Sequence, residues 1–137
     1  MARSALAVLA GLLTIFATHL GIDQVLHETG VFPPWGQPMN DPLLNLLALG
    51  YRAVFSMLGC FVAAVLAPRA PFQHAIALGM IGTVLSGLGV LAATQMNLGP
   101  LWYPLALWVS VMPCAWAGGG MYLYFAGLPG GTPDLRP

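Results

Sequence analysis

Four long apolar stretches dominate the 137-residue chain, running from about Ala5 to Leu26, Leu43 to Leu66, His74 to Thr94 and Trp102 to Phe125. Each is close to the 20 residues with which a helix crosses roughly 30 Å of hydrocarbon. Polar positions inside them are few. At the end of the first stretch His19, Asp23 and His27 stand four residues apart, which places all three on one helix face. Arg52 lies within the second. The pattern predicts an all-α protein, an integral membrane four-helix bundle.

The ends of the stretches carry helix punctuation. Asp41 can cap the second helix with Pro42 at its first position, Pro68 and Pro71 bracket the following turn, and Asn97, Gly99 and Pro100 separate the third helix from the fourth. Residues 1–126 therefore read as a single transmembrane domain, and 127–137, rich in Gly and Pro, as a flexible tail. Arg3 followed by an apolar run resembles a signal peptide. No small-x-small cleavage site follows, and the run continues into His19 and Asp23, so the first helix is read as retained.

Composition agrees with the pattern. The chain is 58% hydrophobic and 6% charged, without a single lysine, and its mean hydropathy is +0.82. It cannot cover a water-facing surface with charge as a soluble domain does. Its formal net charge of zero offers no basic footprint for nucleic acid. The lipid bilayer is the expected partner. Cys60 and Cys114 fall in apolar runs on different segments and read as small packing residues.

Four helices put both termini on one side. Arg3, Arg69 and Arg136 fall on that side, whereas the other two loops carry Glu28 and Asp41 and no Lys or Arg, so the termini are expected to be cytoplasmic. Trp35, Trp102 and Tyr103 then belong to the outer interface and Tyr122 and Tyr124 to the inner one.

Depth sorts the polar residues. At 1.5 Å per residue Arg52 lies about 13 Å below the outer end of its helix, level with His19 and Asp23 on the antiparallel first helix. Asp23 and Arg52 are the expected ion pair, with His19 their buried companion. These three form an intramembrane polar cluster. His27, Glu28 and Trp35 read as outer-interface residues, and His74 belongs to the opposite end.

A single metal ion does not fit. His19 and His27 are separated by about 12 Å along a straight helix, adjacent pairs supply two ligands only, and no second ligand-rich segment completes a shell. No nucleophile elbow, phosphate loop, haem attachment or paired-carboxylate motif occurs. No metal, cofactor or catalytic residue is expected, and an enzyme is the less favoured class.

Small residues recur at four-residue spacing in every helix: Ala7 and Gly11; Ser56, Cys60 and Ala64; Ala75, Gly79, Thr83 and Gly87; Ala106, Ser110, Cys114 and Gly118. Such faces let membrane helices approach closely. Pro113 deprives the Val109 carbonyl of its usual donor, and Gly118, Gly119 and Gly120 are expected to loosen the turn that follows. The segment TGVFPPWGQPMND, Thr29 to Asp41, is stiffened by Pro33, Pro34 and Pro38, and is expected to cap the bundle, lie on headgroups through Trp35, or present a partner surface.

LHETGVFPPWGQPM, Leu26 to Met39, followed by Tyr51 and Arg52, with LWYPLAL from Leu101 and CAWAGG from Cys114, resembles a family of small uncharacterised bacterial membrane proteins. The resemblance implies a bacterial inner-membrane location and no mechanism. Two functional classes follow from the residues. In the leading one the chain is a structural or accessory membrane component whose His19, Asp23 and Arg52 fix the fold. In the alternative the same groups relay protons for a carrier of a small solute. So small a bundle has little room for a private pathway, which points to a homo-oligomer or a larger membrane complex.

Overall fold

In the computed structural model, which describes residues 2–128, the chain forms four helices: α1 (Ala2–Glu28), α2 (Pro42–Leu66), α3 (Pro71–Gln95) and α4 (Trp102–Phe125). No strand occurs among the described residues. α1, α2 and α3 are each long and apolar enough to cross a membrane. α4 has no charged residue, but tryptophan, tyrosine, proline and glycine dilute its aliphatic content. The protein is an integral membrane four-helix bundle.

Helix ends follow local chemistry. Asp41 Oδ1 accepts from the Leu43 amide at 2.8 Å, and Pro42 begins α2 where no amide donor is needed. Pro71 acts in the same way at the start of α3, so this helix begins three residues before the predicted His74. α1 also exceeds its predicted limits, Ala5 to Leu26, at both ends, which puts His27 and Glu28 on its last turn. Of the predicted tail, Gly127 and Leu128 lie beyond α4, and 129–137, with Arg136, fall outside the described residues.

α2 packs against all three other helices, and α4 packs on α2 and α3. α1 rests mainly on α2, meets α3 over a short stretch and does not touch α4. Close packing is concentrated toward the end of the bundle that holds the start of α1 and the α2–α3 turn. There Cys60, Ala63, Ala64, Ala75, Leu78 and Ala115 form one buried cluster. A methyl group on Gly11 would lie 2.6 Å from the Gly59 carbonyl oxygen and 2.7 Å from Leu78, so these glycines set the α1–α2 crossing. Gly59 belongs to none of the predicted four-residue series.

The glycine triplet in α4 contradicts the expectation of a loosened turn. Gly118 faces Met57 and Cys60 of α2, Gly119 faces Ala75 and Phe72 of α3, and only Gly120 opens onto free space. α4 runs unbroken through Pro113 and is tightest where it was expected to loosen. Small residues inside leave the large ones outside, among them Leu13, Leu20, Val84, Val109 and Trp116. In water this belt would be an aggregation surface; in a bilayer it is the lipid-facing wall.

Candidate functional site

The opposite half of the bundle, which holds the α1–α2 and α3–α4 loops, contains the buried polar groups. Asp23, in the penultimate turn of α1, is 5% exposed and points at α2. Its Oδ2 accepts from Arg52 Nη2 at 2.5 Å, and its Oδ1 accepts a short hydrogen bond from the Tyr51 hydroxyl. A buried carboxylate is costly unless paired and hydrogen-bonded, and here both oxygens have donors. Tyr51 and Arg52 are consecutive, so one stretch of α2 supplies both.

His19 lies one turn below, toward the apolar core. Its Nε2 donates to the Arg52 backbone carbonyl at 3.1 Å, not to a carboxylate or to the guanidinium. Geometry therefore separates the predicted companion from the ion pair: His19 binds the α2 backbone, while Asp23 binds α2 side chains. The Arg52 side chain is 28% exposed, and its Nε is buried without a hydrogen-bond partner.

His27 belongs to a different structure. Its Nδ1 donates to the Pro33 carbonyl at 2.5 Å, and its ring stacks on Trp35 with centroids 3.9 Å apart, while Phe32 meets it edge-on at 5.5 Å. Trp35 is thus held against a histidine of its own chain, although one face of it remains exposed. Glu28 is exposed and accepts from Gln24 at 2.8 Å. His27 and Trp35 form a loop clasp beside the exposed Glu28 carboxylate.

Sequence reasoning passed over Asn45. It is 1% exposed, and its Nδ2 donates to the carbonyls of Met39 at 3.0 Å and Asp41 at 2.9 Å, pinning the end of the loop to α2. Met39 in turn donates its amide to the Leu98 carbonyl at 2.9 Å, which joins the two loops. Gly99, at φ +148°, lies against Met39 so closely that a methyl group would sit 2.6 Å from its carbonyl oxygen. The signal was an asparagine one helical turn after a cap.

Between the loop and the start of α2 lies an open groove of about 420 Å³, lined among others by His27, Phe32, Pro38, Met39, Asp41 and Leu44. Its walls are mostly apolar, and its carboxylate already caps α2. Among the described residues no three histidine, cysteine, aspartate or glutamate side chains converge as metal ligands. Comparisons with models of known families, with curated proteins and with solved structures found no match. What the cluster does is therefore decided by its own geometry.

Proposed function

We propose that the protein is a structural or accessory component of a bacterial inner membrane, with both termini cytoplasmic, and that its polar cluster fastens α1 to α2. One observation carries this reading: the polar groups are engaged with one another or with backbone. Asp23 takes up Tyr51 and Arg52, His19 the Arg52 carbonyl, and His27 the Pro33 carbonyl. A proton path would need acids and bases in sequence across the membrane. Below His19 the buried core consists of alanine, glycine, cysteine and leucine, and the next charged or imidazole groups are Arg3, Arg69 and His74 at the far end. The orientation rests on those arginines opposite Glu28 and Asp41.

The alternative, a proton-linked carrier, has one supporting observation, the partly exposed guanidinium with its unpartnered Nε. Reconstitution with a trapped pH-sensitive dye separates the two. The accessory reading expects wild-type liposomes to dissipate an imposed pH gradient no faster than empty ones. A flux above that level, abolished in a folded Asp23→Asn, Arg52→Gln double variant, would replace it with the carrier.

A further inference from the structure

Arg52 has more donors than the fold uses. Its Nη2 donates to Asp23 Oδ2 at 2.5 Å, its Nε is buried without a partner, and its Nη1, which is not enclosed, makes no hydrogen bond among the described residues. A guanidinium is always charged and has no acceptor of its own, so idle N–H groups call for an oxygen from elsewhere. Arg52 shares a face of α2 with Gly59 and Ala63, seven and eleven residues on, both of which meet α1 at Gly11. At that level α1 also reaches Leu78 of α3; it touches α4 nowhere, and the Arg52 side chain is left 28% exposed.

Depth, charge and surroundings define what fills that place. The 27 residues of α1 measure about 40 Å against about 30 Å of hydrocarbon, so a centred helix projects about 5 Å at each end. Asp23, five residues before Glu28, then lies about 3 Å inside the hydrocarbon boundary, and its bond to Arg52 fixes the guanidinium near that level. The glycerol-ester carbonyls of a phospholipid lie at this boundary; its phosphate lies farther out. Asp23 already neutralises Arg52, so a neutral carbonyl oxygen suits the remaining donors, whereas an anion would bring an uncompensated charge. Phe16 and Leu20, seven and three residues before Asp23 and so on its side of α1, are 48% and 59% exposed and offer an acyl chain an apolar bed.

We propose that Arg52 binds the ester carbonyl of a phospholipid from the leaflet that meets the α1–α2 loop, with an acyl chain of that lipid lying along Phe16 and Leu20. Nη1 is the donor open to it. The bond is charge-assisted, and it extends a chain that runs from the Tyr51 hydroxyl through Asp23 and Arg52 to the lipid oxygen. The lipid thereby fills the side of Arg52 that neither α3 nor α4 covers. This inference uses the geometry of the Asp23 and Arg52 pair and goes beyond the accessory reading; lipid preference and proton flux are separate measurements, so either can fail alone.

The test offers the full-length protein in detergent equal amounts of dioleoyl phosphatidylcholine and its diether analogue, which has the same headgroup and chains but no carbonyl, and counts bound lipid by native mass spectrometry. Wild type is expected to retain one diester lipid per chain and to prefer it about tenfold, the factor that one charge-assisted hydrogen bond supplies. Asp23→Leu with Arg52→Met removes the donors without leaving an unpaired charge and should retain the two lipids equally. Arg69→Gln, at the opposite end of the bundle, should keep the preference. A wild type that retains neither lipid, or both equally, overturns the site without any variant having to fold. A folded Asp23→Leu, Arg52→Met protein that still prefers the ester overturns it as well.

Discussion

Asn45 and Asp23 hold adjoining parts of the same half of the bundle by different means. Asn45 satisfies two backbone carbonyls with one neutral amide, whereas Asp23 is a charge held by two donors. Asn45→Ala removes the side-chain donor of the Met39 carbonyl in a site that is 1% exposed, while the Asp41 carbonyl keeps the residue-45 backbone amide, and should lower stability by about 1–3 kcal/mol. Amide hydrogen exchange should rise across residues 30–41 and at Leu98, with α3 and the start of α1 unchanged. His27→Ala acts on the same loop through the Pro33 hydrogen bond and the Trp35 stack. In a background where Trp35 is the sole tryptophan it should red-shift the emission, because the ring loses its stack and gains solvent, while Asp23→Asn leaves the emission in place. The ion pair was legible in the sequence because depth along two antiparallel helices is simple arithmetic. Tyr51 was not, since its bond to Asp23 depends on the rotation of α2 about its axis, which spacing alone leaves undetermined.

Elements were legible where apolar length and punctuation agree, as for α4, whose limits coincide with those predicted. They were less so where proline has two meanings. Pro71 was read as closing a turn, yet a residue without an amide donor is equally suited to open a helix, and it opens α3. Small residues marked the packing faces, but four-residue spacing did not single out Gly59, the residue on which α1 crosses α2. The crossing makes a sharp distinction between glycines. Gly59→Leu should separate α1 from α2 and abolish a cooperative thermal transition in detergent. Gly21→Ala and Gly89→Ala, where nothing lies within 4 Å, should leave that transition unchanged or raise it by the few tenths to 1 kcal/mol gained when helical glycine becomes alanine.

At the scale of the molecule the bundle divides in two. One half is joined by the close approach of small residues; the other is joined by hydrogen bonds and one ion pair beneath two loops tied to each other at Met39 and Leu98. Lipid gives helices no hydrophobic reason to associate, so both devices are needed to hold α1, which rests mainly on α2 and only briefly on α3. The central claim is that Asp23 and Arg52 act as a fastener between α1 and α2. A double-mutant cycle of Asp23→Asn and Arg52→Gln, read by unfolding in lipid bicelles, tests it most directly. Each single variant should lose about 2 kcal/mol, less than the 3–5 of a fully buried pair because Arg52 is 28% exposed, and the double variant should lose little more than either one. Losses that simply add, or single variants as stable as wild type, would contradict the account.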